Sequence, residues 1–223
     1  LILPEKFMDK SLTPHFPSSK RSRHLGFTLI EMLVVVAVIG LITAAVAPMV
    51  FNTLIATKLS SSGQTMASSI SLAREHAVSG GQNVELRFYR YAIEDEPGSE
   101  DSYRALIMVI PSTTPNQNGV QLGEIIRCPS GIIIADTSSL SPMLNGGTLE
   151  SKPDKENFIR NARANYKAVL FRPDGTTDLT EAPNQCYFTL AEERLLSSED
   201  KVPPNFFAIQ IDPLSSRTET YRP

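Results

Sequence analysis

The longest apolar run of the chain lies near its N-terminus and predicts a helix. No charged residue occurs between Met32 and Thr57. The run is close to the ~20 residues that an α-helix needs to cross a membrane. A buried core helix or a removed signal peptide would share this pattern. The run is longer than the ~7–15 apolar residues of a signal peptide, so the sequence favours a retained membrane-spanning helix.

A second apolar pattern predicts that this helix continues beyond the membrane. Four apolar residues recur at helical spacing and form one stripe between polar neighbours: Met66, Ile70, Ala73 and Ala77. The dipeptide Gly80-Gly81 then supplies a C-cap. We therefore expect a membrane and assembly helix over residues 27–50 and an amphipathic continuation over residues 51–80.

After Gly81 the apolar period changes to two, which is the period of a half-buried β-strand. Six segments carry strand patterns: Gln82–Tyr91, Arg104–Ile110, Gly131–Ala135, Tyr166–Phe171, Cys186–Leu190 and Phe206–Ile211. Residues 137–165 show no clear pattern, and we expect a long surface loop with a short helix near Asn157–Ala164. The sequence predicts an α+β fold in which the long N-terminal helix packs on an antiparallel sheet formed by residues 81–223.

The net charge of −3 is unevenly distributed along the chain. Residues 1–26 carry five basic and two acidic side chains, a net charge of +3, so residues 27–223 carry −6. Basic residues before a membrane helix favour a cytoplasmic N-terminus and a body on the far side of the membrane. The acidic body argues against nucleic acid as the main partner, because phosphate contacts need local positive charge.

The sequence offers little material for an enzyme or a metal site. Of the three histidines, His15 and His24 lie in the basic leader and His76 lies on the predicted helix. No glycine-rich phosphate loop or CxxC motif is present, so we expect no catalytic residues, cofactor or metal. Cys128 and Cys186 could form a disulfide outside the cytoplasm, or could be two small buried hydrophobic side chains. The sequence leaves both alternatives open.

The segment Gly26-Phe27-Thr28-Leu29-Ile30-Glu31 resembles the processing site of type IV prepilins. In that family a small residue precedes the cut, an N-methylated residue follows it, and a glutamate lies four residues further on. The resemblance implies that prepilin peptidase cuts between Gly26 and Phe27, removes residues 1–26 and methylates Phe27. It also implies assembly with other pilin-like subunits through the N-terminal helix, after a stage in the inner membrane. The body would then lie in the periplasm or on a cell-surface filament.

Glu31 also stands out on physical grounds. A charged side chain inside the apolar run costs about 2.5–3.5 kcal/mol on insertion scales, so it should have a partner. A cut after Gly26 creates an α-amino group at Phe27, in the same chain and in each neighbouring subunit. The alternative is a helix-start glutamate favoured by the N-terminal dipole. Further along, Pro48 should kink the helix or mark the end of the membrane segment, and we count it as an assembly residue.

The body carries two further resemblances. Ala73-Arg74-Glu75-His76-Ala77 and Phe171-Arg172-Pro173-Asp174-Gly175 resemble class H minor pseudopilins of type II secretion and their FimT-like relatives. The runs LAREHAVSGGQNVELRFYRYAIEDEPGS, RALIMVIP and RCPSGIIIADTSSL more closely resemble the Verru_Chthon cassette protein D family.

These resemblances imply a non-enzymatic minor subunit of a type IV pilus-like or type II secretion-like filament. A major pilin-type subunit, a DNA-binding FimT-like minor pilin and a monomeric anchored binding domain are the alternatives. Against DNA binding, Glu219 stands between the C-terminal arginines Arg217 and Arg222.

Overall fold

The computed structural model describes residues 26–93, 101–114, 117–160, 162, 165–179, 182–196 and 202–223. Within these residues the chain forms two α-helices, α1 (Leu29–Gly80) and α2 (Pro142–Asn145). The strands are β1 (Val84–Tyr91), β2 (Ser102–Ile110), β3 (Val120–Arg127), β4 (Ile132–Ile134), β5 (Ser151–Pro153), β6 (Asn165–Phe171), β7 (Tyr187–Glu192), β8 (Phe206–Ile211) and β9 (Thr218–Tyr221). Short 3-10 turns occur at Pro183–Gln185 and Glu193–Leu195. The predicted α+β class is confirmed.

The chain divides into two compact units with the boundary between Val46 and Ala47. In the first unit every described residue from 26 to 46 is exposed, although most of them are apolar. By length and composition, helix α1 contains a stretch that is able to cross a membrane. The helix continues across Pro48, so this proline does not end it.

The second unit, Ala47–Pro223, contains the sheet. Its strands lie in the order β5-β6-β1-β2-β4-β7-β8-β9, and β3 pairs with β2 beside this path. The pairings between these strands are antiparallel. Strand β1 lies between β2 and β6, so that Leu86 faces Met108 on one side and Val169 on the other. The sheet thus brings together segments that are distant in sequence.

The predicted helix stripe forms part of the main core. Met66, Ile70, Ala73 and Ala77 have no exposed surface, and they share one buried cluster with apolar side chains of β1, β2, β6, β7 and β8. Gly63 allows a close approach, because a Cβ at this position would lie 2.4 Å from the ring of Phe207. The packing of this part of α1 on the sheet is therefore confirmed.

The predicted C-cap of α1 is also present. Gly81 has a positive φ of 61°, which glycine adopts without strain. The amide of Gln82 donates to the carbonyl of Ala77 over 3.2 Å, which is the long hydrogen bond of a Schellman motif. This turn ends the helix and directs the chain into β1.

All six predicted strand segments form strands, but three strands were not predicted. These are β3, β5 and β9, which lie at free edges or beside the main path of the sheet. Their side chains are mostly exposed or half-buried. Edge strands need no alternating apolar face, so the period-two pattern is weak there.

The prediction of a long surface loop over residues 137–165 is wrong. Helix α2 buries Pro142, Met143 and Leu144, and β5 pairs with β6. Further along, Ile159 is 6% exposed and belongs to a second apolar cluster. No helix forms at residues 157–160 or 162, the described part of the predicted Asn157–Ala164 helix. Residues 140–144 are buried as one continuous run, and the next buried residues, Leu149 and Ile159, lie far apart, so the segment shows neither a helical nor a strand period.

The possible disulfide between Cys128 and Cys186, one of the two alternatives that the sequence left open, is not formed in the structure. Both side chains are buried thiols, and that of Cys186 donates a hydrogen bond to the carbonyl of Ala182 over 3.4 Å. Burial raises the pKa of Cys128 to about 12 and also raises the pKa of Cys186. Both side chains therefore remain protonated and act as small apolar groups of the core, the alternative that the sequence left open.

Candidate functional site

The bond between Gly26 and Phe27 lies outside the helix. Residues 26–28 have no helical structure, and α1 begins at Leu29. Gly26 is exposed, and the Phe27 side chain is 73% exposed. Apart from the chain neighbours of Gly26, no described atom lies within 4 Å of the position that a Cβ would take there. The bond is therefore accessible, and its backbone groups are not committed to helical hydrogen bonds.

Thr28 and Glu31 form a reciprocal capping box at the start of α1. The backbone N–H of Thr28 donates to Glu31 Oε2 over 3.2 Å, and the Thr28 hydroxyl lies 3.3 Å from the same oxygen. In return, the backbone N–H of Glu31 donates to Thr28 Oγ1 over 3.3 Å. The box satisfies amides that a helix start leaves without partners and fixes the first helical turn.

The geometry of Glu31 leaves half of its carboxylate available. Both contacts from Thr28 reach Oε2, and Oε1 accepts no hydrogen bond from any described residue. Glu31 is the only charged residue between Phe27 and Thr57. Within a single chain it thus acts as a helix-start residue, while one oxygen remains free for a cation.

The side chains around this site are apolar and exposed. The described residues from Phe27 to Val46 are exposed, among them Leu33 at 60% and Leu41 at 73%. Soluble monomers rarely expose apolar surface of this extent, and larger patches mark contacts with membranes or other proteins. The site therefore combines an accessible backbone bond, one carboxylate and an uncovered apolar helix.

Sequence reasoning identified Gly26, Phe27 and Glu31 but missed Thr28. The signal was present as Thr28-Leu29-Ile30-Glu31, which has the Ser/Thr-x-x-Glu spacing of a capping box. The structure brings Thr28 and Glu31 together, whereas Pro48 lies further along the same helix, in the second unit. Elsewhere in the described residues, no group of three or more His, Cys, Asp or Glu side chains is placed to hold a metal ion.

Comparison with known proteins supports the interpretation of this segment. Residues 21–47 match the family described as the prokaryotic N-terminal methylation motif. No curated protein matches the chain. One solved structure that resembles it is the minor pseudopilin EpsH from the type 2 secretion system of Vibrio cholerae. The two chains are 12% identical, the similarity covers 74% of this chain and 98% of EpsH, and the TM-score is 0.40, too low to support a functional inference.

The motif and the fold define the class of this protein. A prepilin-type methylation motif precedes an α+β body, so the chain is a type IV prepilin-like protein. The match ends at residue 47 and leaves the body unassigned. The resemblance of the body to the Verru_Chthon cassette protein D family stays a prediction.

Proposed function

We propose that this chain is a non-enzymatic subunit of a type IV pilus-like or type II secretion-like filament. The observation that carries the proposal is the position of the methylation motif. Its candidate cleavage bond is exposed immediately before a capping box, and that box begins an uncovered apolar helix. Peptidase cleavage requires an accessible bond, and assembly requires an apolar helix that is not already covered by its own chain.

Processing would begin at the cytoplasmic face of the inner membrane. The basic residues Lys20, Arg21 and Arg23, which lie outside the described residues, would keep the leader in the cytoplasm. Prepilin peptidase would cut between Gly26 and Phe27 and methylate the new amino group. Residues 27–50 would then remain as the membrane anchor, and the body would lie in the periplasm.

Assembly would follow from the charge pair that cleavage creates. The new amine at Phe27 is cationic, and Glu31 Oε1 is open to it. In an apolar environment the attraction between the amine of one subunit and the carboxylate of its neighbour is much stronger than in water. The pair would fix the axial register of neighbouring helices. Pro48, which lacks the N–H of one helical hydrogen bond, would let α1 adjust to its neighbours.

The alternatives receive less support from the body of the protein. The class H resemblance implies a minor subunit, so we favour a minor over a major subunit. For a DNA-binding role, Arg222 is poorly placed, because its Nη2 atom donates to the carbonyl of Ala56 in α1. Glu219, on strand β9 just before Arg222, adds an exposed negative charge, as expected for a body that does not bind phosphates.

A co-purification experiment tests the proposed function. The full chain, with a C-terminal tag, is expressed with the other pilin-like subunits of its host, with and without active prepilin peptidase. We expect these subunits to co-purify with the chain from detergent-solubilised membranes only when the peptidase is active. Recovery of the chain alone in both strains would contradict a filament role and favour a monomeric anchored domain.

A further inference from the structure

Charged side chains lie buried on the sheet face that points away from helix α1. On strand β1, Glu85, Arg87 and Tyr89 alternate with residues of the main core and point to this second face. The side chains of Arg87 and Glu85 are only 3% and 8% exposed. Arg87 Nε donates to Glu85 Oε2 over 2.9 Å, and Arg87 Nη1 donates to Glu156 Oε2 over 3.1 Å. A buried cation depends strongly on such partners, since an unpaired one is very destabilising.

Glu156 belongs to a segment that is otherwise weakly attached to the sheet. Residues 151–160, which we call the strap, lie over the second apolar cluster. Their regular structure is limited to the three residues of β5, which pair with the edge of β6. Their main apolar contacts to the cluster are Phe158 and Ile159. Besides its charged side chains, the strap thus contacts the sheet through the β5 pairing and these two apolar side chains.

The charged contacts of the strap converge on the same two carboxylates. Lys152 Nζ donates to Glu85 Oε1 over 2.9 Å, and the hydroxyl of Tyr166 donates to Glu85 Oε2 over 3.3 Å. Glu156 Oε1 accepts the N–H of Gly119 over 3.0 Å, which ties the strap to the loop before β3. The guanidinium of Arg87 lies 4.2 Å from the centre of the Tyr166 ring. Removal of the two negative charges would weaken most of these links together.

We propose that the strap is an acid-released cover: protonation of Glu156, the strap's own partner of the buried Arg87, lifts residues 151–160 off the sheet. A neutral carboxyl group no longer compensates the guanidinium, and arginine cannot lose its own charge. Opening of the strap relieves the free-energy cost of this buried, uncompensated positive charge, because water then reaches Arg87. The strap would open while the rest of the sheet stays paired. Opening would expose apolar side chains that are now buried: Tyr89, Ala105, Ile107, Val109, Tyr166 and Ala168.

The direction of the pH dependence follows from Glu156. Burial alone would raise the pKa of Glu156, but the hydrogen bonds from Gly119 and Arg87 outweigh it and lower the pKa. A lowered pKa contributes stability above the unfolded value, about 4.3 for glutamate, and this contribution is lost as the pH falls through the folded value. The stabilisation of the closed strap should therefore begin to fall below about pH 4.3, and the strap should open as the pH reaches the lowered pKa of Glu156.

The other groups that face Arg87 do not reverse this direction. Burial raises the pKa of Asp154, so its protonation favours the closed strap and opposes opening in part. Burial also raises the pKa of both phenols, Tyr89 and Tyr166, which stay neutral in acid. Lys152 and Lys155, which belong to the strap and line the same surface as Arg87, are cations and cannot replace the lost negative charge.

Hydrogen exchange with mass spectrometry tests the proposal on the full chain in detergent micelles. Exchange is compared at about pH 7 and about pH 3, which bracket the ordinary glutamate pKa, after correction for intrinsic rates. We expect the protection of residues 151–160 and Gly119 to fall in acid by at least roughly tenfold relative to β1 and β2. Equal changes in protection across the strap, β1 and β2 would overturn the proposal.

Three variants sharpen the test. Glu156→Gln should open the strap already at neutral pH, and a strap as protected as in the wild type would overturn the proposal. The triple variant Arg87→Met, Glu85→Gln and Glu156→Gln contains neither the buried cation nor its carboxylates, and its strap should stay closed at both pH values. Glu124→Gln, which changes an exposed carboxylate on β3, should behave as the wild type. Protection of β1 and β2 shows that each variant is folded. If a variant does not fold, the comparison of the wild type at the two pH values still tests the proposal.

Discussion

Replacement of Glu31 by leucine or alanine is expected to leave membrane insertion intact and to prevent incorporation into the filament. Insertion should survive, because the change removes the only charge between Phe27 and Thr57 from an apolar helix. Incorporation should fail, because loss of one partner of a desolvated charge pair costs about 2–5 kcal/mol, roughly 30-fold or more in association. The surrounding apolar side chains cannot replace the pair, since lipid is as apolar as they are.

The capping box at Thr28 makes a controlled version of this experiment available. Glu31→Gln retains the box, because glutamine serves the same role at this position, but removes the charge. Thr28→Val removes the hydroxyl from the box but retains the charge. Loss of a cap costs only about 0.5–2 kcal/mol, and the apolar helix is also stabilised by the membrane.

The two variants separate the two roles of Glu31. If the carboxylate acts in assembly, Glu31→Gln should fail to crosslink with other pilin-like subunits, while Thr28→Val should crosslink nearly as the wild type does. The reverse outcome, with assembly lost in Thr28→Val and retained in Glu31→Gln, would mean that Glu31 serves only to start the helix.

Replacement of Gly26 by valine is expected to block removal of the leader almost completely. Apart from the chain neighbours of Gly26, a Cβ there meets no described atom within 4 Å, so the new side chain should not disturb the described part of the chain. Any effect must therefore arise in the peptidase groove, where the branched side chain of valine would lie beside the bond that is cut. The fraction of chain that retains residues 1–26, measured by intact-protein mass spectrometry of membrane extracts, provides the readout.

Gly40 supplies the matched control for this change. A Cβ at Gly40 would also have open space around it, but Gly40 lies within α1, 14 residues beyond the candidate bond. Gly40→Val should be processed as the wild type is. Normal processing of Gly26→Val would show that the cut does not occur after Gly26.

The sequence predicted those parts of the fold in which burial imposes a period. The stripe from Met66 to Ala77 and the alternation in β1 both arise because one face packs on the core. Strands β3 and β9 lack such a face, since most of their side chains are exposed or half-buried, and they were missed. The pattern of β1 also gave no sign that its polar residues are buried, because one of the two carboxylate partners of Arg87, Glu156, lies 69 residues away.

The candidate site was more predictable than the fold, because its residues are contiguous. Gly26, Phe27 and Glu31 lie within six residues, and their chemistry is unusual in an apolar segment. Thr28 was missed although its spacing from Glu31 is that of a capping box. The relation between Cys128 and Cys186 could not be predicted, since a disulfide depends on a distance that no sequence pattern encodes.

The most direct test of the central claim is the N-terminal mass of the protein extracted from membranes that contain prepilin peptidase. The proposed function predicts a mature chain that begins at Phe27 and carries one methyl group on its α-amino nitrogen. Peptide mass spectrometry would resolve both features in one measurement. A chain that retains residues 1–26, or one that is cut elsewhere, for example after Ala47, would contradict the assignment of this protein as a processed filament subunit.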